Sequence, residues 1–123
     1  MVGLWETSLQ YSIGSKDQIR SLKLLKKMVQ FVMLGKFTQK RNETIKDLQA
    51  SVKESGSVFE SFGVKITYLV FTMGRYNVVA LMEASDEEAM TKAVLSWGSK
   101  GLLKIETYRA FSPELMIKMT NEI

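Results

Sequence analysis

Residues 65–84 read KITYLVFTMGRYNVVALMEA, two apolar runs joined by the short connection Met73-Gly74-Arg75-Tyr76. Strand-forming runs on either side of a glycine-bearing turn specify a β-hairpin. The spacing predicts strands over residues 64–72 and 77–84. In the first, Ile66, Tyr68 and Val70 face one way, and Thr67, Leu69 and Phe71 the other, because strand side chains alternate between faces. In the second, Val78 to Met82 is apolar without interruption. Such a strand has no wet face and belongs in the middle of a sheet.

The rest of the chain is placed around this hairpin. Residues 28–37, MVQFVMLGKF, form a first strand that is also apolar on both faces. Residues 38–41 read as a polar connection, and Asn42 as the cap of a long helix. Ile45, Leu48, Val52, Phe59 and Phe62 give that helix one apolar stripe; Gly56 interrupts it and Gly63 suits its left-handed stop. After the hairpin, Ser85-Asp86-Glu87-Glu88 has the form of a capping box opening a helix with Ala89, Met90, Ala93, Val94 and Trp97 on its apolar face. Gly98 and Gly101 end it. Residues 102–111 alternate as a fourth strand, and Ser112-Pro113 starts a short C-terminal helix anchored by Leu115, Met116 and Met119.

Residues 1–27 stand apart as an N-terminal extension to a domain spanning 28–123. Ser15-Lys16-Asp17-Gln18 followed by Ile19, Leu22 and Leu25 predicts a short basic amphipathic helix. It serves either as a docking helix or simply as packing for the domain or a neighbouring subunit. Met28 is an alternative start, which would make this stretch foreign to the product.

From residue 28 the order is β-α-β-β-α-β, the α+β, ferredoxin-like pattern with an antiparallel four-stranded sheet. Right-handed crossovers put strands one and three in the middle, the two strands already read as apolar on both faces. Both long helices then cover one face of the sheet. The other face is bare, yet neither face of the first three strands is polar. A bare apolar sheet is an aggregation hazard, so a second subunit is expected to cover it, most simply in a two-fold dimer. The alternative cover is the N-terminal extension.

Composition narrows the chemistry. The 123 residues suffice for one core and contain no histidine and no cysteine. Disulfides, thiolate nucleophiles, Cys/His zinc sites and imidazole acid–base catalysis are thereby excluded. Missing cysteine fits a cytoplasmic protein. The net charge of +4 is concentrated in residues 1–27, with five bases against two acids, whereas residues 28–123 carry twelve bases and eleven acids. So balanced a domain is a poor nucleic-acid binder. No apolar run approaches a membrane span, and the start is not a signal peptide. No phosphate loop, carboxylate metal spacing or nucleophile–base pair occurs. No catalytic residue, metal ligand or cofactor is therefore assigned.

Three segments resemble the GYD-domain family of small bacterial and archaeal proteins. They are FTMGRYNVVALMEA over residues 71–84, SDEEA over 85–89 and IETYRAFS over 105–112. The Gly-x-Tyr-Asp signature falls on Gly74, Tyr76 and Asn77, with asparagine in place of aspartate. The resemblance covers residues 28–118. It implies a dimeric α/β-barrel, matching the architecture reached from the pattern, and no established reaction.

The candidate ligand-binding residues are Gly74, Tyr76 and Asn77 at the hairpin and Thr107 and Arg109 on the fourth strand. A guanidinium suits a carboxylate or phosphate in forked geometry, so Arg109 with Thr107 could hold a small anion under Tyr76. Against this, Arg109 could pair with Glu83 or Glu106, and Asn77 could bond its own turn. The leading reading is a homo-oligomer that binds a small, anionic metabolite near its subunit interface. The alternatives are a cofactor-free enzyme of the dimeric α/β-barrel type and a non-catalytic regulatory or scaffold protein. The missing histidine weighs against an enzyme.

Overall fold

The computed structural model describes residues 28–123, so the N-terminal extension and its basic helix lie outside the described residues. The elements are β1 (Val29–Phe37), α1 (Gln39–Glu43), a 3-10 turn (Ile45–Asp47), α2 (Leu48–Ser61), β2 (Val64–Phe71), β3 (Val78–Ala84), α3 (Glu87–Gly98), β4 (Leu103–Ala110) and α4 (Pro113–Asn121). The strands form one antiparallel sheet in the order β2-β3-β1-β4. The two uninterrupted apolar strands are thus the central pair, as the crossover rule requires.

Directly opposed residues share a sheet face, so the register sorts every strand side chain. Phe31, Met33, Val78, Ala80, Met82 and Ala84 face the helices and are buried with Phe59 of α2 and Met90, Ala93 and Trp97 of α3. This is the core. Helix ends match local chemistry. Asp86 Oδ1 accepts from the Ala89 amide at 2.8 Å, and Ser112 Oγ accepts from the Leu115 amide at 3.1 Å. Asp86, not Ser85, caps α3. Gly63, at φ +75°, closes α2 in a conformation where a side chain would be strained.

Several details depart from the sequence-based expectation. The polar connection at 38–41 is largely helix α1, capped by Thr38 rather than Asn42, and Arg41 within it is buried. The long helix starts only at Leu48, leaving Ile45 in the 3-10 turn and largely exposed. It runs unbroken through Gly56, since packing of Phe59 and its neighbours outweighs the roughly 1 kcal/mol glycine penalty. A β-bulge between Ile66 and Tyr68 resets the alternation of β2. Ile66 joins Leu69 and Phe71 on the helix side, while Tyr68 and Val70 turn to the open side. The C-terminal helix is anchored less than expected. It buries no residue, and Met116 and Ile117 are exposed.

Candidate functional site

The open face of the sheet is built from four cross-strand rows. The two middle rows are Tyr68–Leu81–Val32–Tyr108 and Val70–Val79–Leu34–Glu106. They are flanked on one side by a row of Lys65, Glu83 and Gln30 that ends in Ala110, and on the other by the Lys36–Lys104 pair. The face therefore has an apolar centre and a polar rim. Tyr68 is 57% exposed, Tyr108 52% and Leu81 43%, so three large side chains at the centre of this face meet water in the single chain.

Glu106 ends the second apolar row, and two phenols converge on it. Tyr76 Oη from the hairpin connection and Tyr108 Oη from the adjacent row each donate to Glu106 Oε2 at 2.9 Å. The Arg75 guanidinium lies 5.8 Å from the centre of the Tyr76 ring. The hydrogen bonds from Tyr108 and then Tyr76 hold the Glu106 carboxyl below its ordinary range. Reciprocally, the bond to Glu106 raises both phenols above their ordinary 10.0. The signs are opposite for stability. Glu106 stabilises the fold above the usual carboxylate range, and that contribution is lost as pH falls through its lowered value. The tyrosines contribute fully below pH 10.0 and lose their contribution as pH rises through their raised values. In an ultraviolet phenolate titration, two tyrosines should ionise later than free tyrosine, and Glu106→Ala should bring both back toward it. An unchanged titration curve in that variant would refute the cluster.

The hairpin connection is held from behind. The Asn77 amide donates to Gly35 O at 2.8 Å, and Asn77 Oδ1 accepts from the Phe37 amide at 2.9 Å. Thr72 Oγ1 donates to Tyr76 O at 2.6 Å. Gly74 takes φ +146° beside the fully exposed Met73. The Asn77 carbonyl closes the turn by accepting from the Thr72 amide at 2.9 Å, whereas its side chain bonds the end of β1, with an oxygen that aspartate also possesses. Asn77→Ala strands a partly buried amide and should cost about 1–3 kcal/mol in chemical denaturation. Asn77→Asp keeps the acceptor and should retain most of that stability at neutral pH.

The five sequence-predicted site residues do not form one cluster. Gly74, Tyr76 and Asn77 lie together at the hairpin, and the Tyr76 hydroxyl reaches the open face. Thr107 and Arg109 lie opposite Met33 and Phe31, on the helix face of the edge strand β4. Arg109 Nη1 donates to Gln30 O at 3.3 Å and to Ala110 O, and the guanidinium stacks 4.6 Å from the centre of the Phe111 ring. It pairs with neither Glu83 nor Glu106; among the described residues the ion pairs are Glu88–Lys92 and Glu54–Lys100. Sequence reasoning missed the part of Tyr108, whose only signal was its place two residues from Glu106 on an alternating strand. It also missed Arg41, which sits between α2 and the sheet beside a cavity.

A family profile for the GYD domain matches residues 31–120. The chain belongs to the GYD domain family. It is 30% identical over 84 residues to the "glutamine synthetase and cystathionine beta-lyase binding protein" of Thermus thermophilus, covering 68% of this chain and 88% of the relative. The fold is similar to that of the crystal structure of MtbAldR, with TM-score 0.54 and 9% identity over 69% of this chain. That alignment spans 54% of the MtbAldR chain, and at this identity it shows the fold alone. SnoaB, a cofactor-independent oxygenase from Streptomyces nogalater, aligns over 71% of this chain and 94% of its own with TM-score 0.49 and 16% identity. No helix among the described residues is long and apolar enough to cross a membrane.

Proposed function

We propose that this GYD protein is an oligomeric binding protein that acts by contact, pairing with a second copy through the open sheet face and carrying a partner enzyme on the assembly. The observation that carries the pairing is the two-row apolar centre within a polar rim. That is the anatomy of a protein interface, with an apolar core and a hydrated margin. Two-fold pairing would set Tyr68, Leu81, Val32 and Tyr108 against the same residues of the second copy. It would also shelter the Tyr76–Glu106–Tyr108 cluster from water. The half-covered apolar face of α4 adds further surface for a subunit neighbour.

The enzyme partner is supported by the Thermus relative, whose name gives two enzymes that it binds. Sedimentation of this protein with glutamine synthetase of the same organism tests that part. Co-sedimentation at about 10 μM, near the micromolar range of regulatory contacts, is the expected result. Separate boundaries at that concentration would remove glutamine synthetase as the partner and leave the pairing untouched. The small-metabolite reading loses its composite site, because Tyr76 and Arg109 lie on opposite faces.

A further inference from the structure

Arg41 is 3% exposed, the buried charged side chain among the described residues. It is held in the short helix α1, and among the described residues its guanidinium meets neutral partners. Nη1 donates to Thr44 O at 3.1 Å and Nη2 to Ser51 Oγ. The acids nearest in sequence do not answer it. Glu43 accepts from Gln39 Nε2 at 3.2 Å, and Asp47 is exposed. No described carboxylate lies within 4.0 Å of it. A buried cation without a counter-charge is costly, and it is usually neutralised by a carboxylate or another anion.

The side chain lines a cavity of about 50 Å³ between α2 and the helix face of the sheet. One wall carries Arg41, Ser51 and Ser55, and the remainder is apolar, with Leu48, Phe37 and Trp97 among its side chains. Ser51 Oγ accepts from Arg41, and its own proton has no acceptor among the described residues. Ser55 Oγ is turned to Val52 O at 2.7 Å. The cavity thus offers a guanidinium and one hydroxyl proton at a polar end, and hydrocarbon walls elsewhere. A ligand site of this kind is mostly apolar with a few convergent polar groups that fix orientation.

We propose that the Arg41 cavity binds a short, apolar-tailed monocarboxylate, with its head on the Arg41 guanidinium and the Ser51 hydroxyl and its tail between α2 and the sheet. A planar carboxylate fits a guanidinium fork, and the monoanion matches the single buried positive charge. A phosphate would bring a second charge into hydrocarbon walls with no further cation to meet it. The volume of about 50 Å³ admits about three to five water-sized groups, at about 10–15 Å³ each, which limits the tail to one or two carbons. This inference is independent of the sheet pairing, since the cavity lies on the opposite face of the sheet.

Propionate is a suitable probe, followed by amide chemical shifts and by melting temperature on the full-length protein. Saturable shifts centred on Arg41, Leu48 and Ser51 are expected, with a dissociation constant on the order of millimolar for a ligand of about five non-hydrogen atoms. Ser51→Ala should weaken propionate roughly tenfold by removing a charge-assisted hydrogen bond. Arg41→Met should abolish binding while keeping or raising the melting temperature of the free protein, because it replaces an unpaired buried charge with an apolar side chain. If Arg41→Met fails to fold, the Ser51→Ala comparison still decides. No saturable shift at about 50 mM, roughly ten or more times the expected constant, would overturn the proposal. So would equal affinity for inorganic phosphate or for the uncharged propionamide.

Discussion

Leu81→Lys is expected to convert the protein from a pair into folded monomers. Leu81 is at the centre of the open face, opposite Val32 on β1 and Tyr68 on β2. Its side chain points away from the helices and is 43% exposed in the single chain. Lysine there keeps the core intact and its ammonium in water while the chain is alone. Two-fold pairing would bury that ammonium, and symmetry would bury it twice. An unpaired buried charge costs several kcal/mol, and each 1.4 kcal/mol is tenfold in affinity. The dissociation constant should therefore rise by roughly three orders of magnitude or more. Sedimentation velocity measures the mass, and circular dichroism checks the fold. A folded variant that keeps the wild-type mass would place the interface elsewhere.

Phe59→Ala tests the other face. Phe59 is 1% exposed on α2 and packs in the core between the helix and the sheet. Truncation removes a large aromatic from a site bordered by β-strand side chains that cannot follow it. Such changes cost about 3–5 kcal/mol, and each kcal/mol lowers the melting temperature by about 4–8 °C in a domain of this size. A fall of roughly 12 °C or more is expected. Met73→Ala, at the fully exposed tip of the hairpin connection, is the control and should stay within about 0.5 kcal/mol of wild type. A Phe59→Ala loss as small as that control would contradict the described core.

The parts of the fold governed by local patterns were legible in the sequence. The hairpin, the central position of β1 and β3 and the Ser112–Pro113 helix start all follow from periodicity, handedness and turn chemistry. The site was less legible, because it depends on which face each strand residue takes. The bulge at Thr67 inverted that assignment for part of β2, and nothing in KITYLVF marks where the extra residue falls. In the sequence, only the chemistry of anion binding sets Arg109 and Thr107 under Tyr76, and it does not tell which face each takes. The register puts the Tyr76 hydroxyl with Glu106 and sends Arg109 across the sheet. Arg41 was hidden for a different reason. A stretch reading TQKR is polar by composition, and only the fold, which brings the Arg41 guanidinium to Ser51 of α2, makes one of its cations a buried one.

Sedimentation equilibrium of the wild-type protein tests the central claim most directly. Each copy has a mass of 14.0 kDa. Pairing through the open face predicts twice that mass, or an even multiple of it, at about 10 μM, where a contact of micromolar or tighter affinity is populated. A single 14.0 kDa species at that concentration would contradict it.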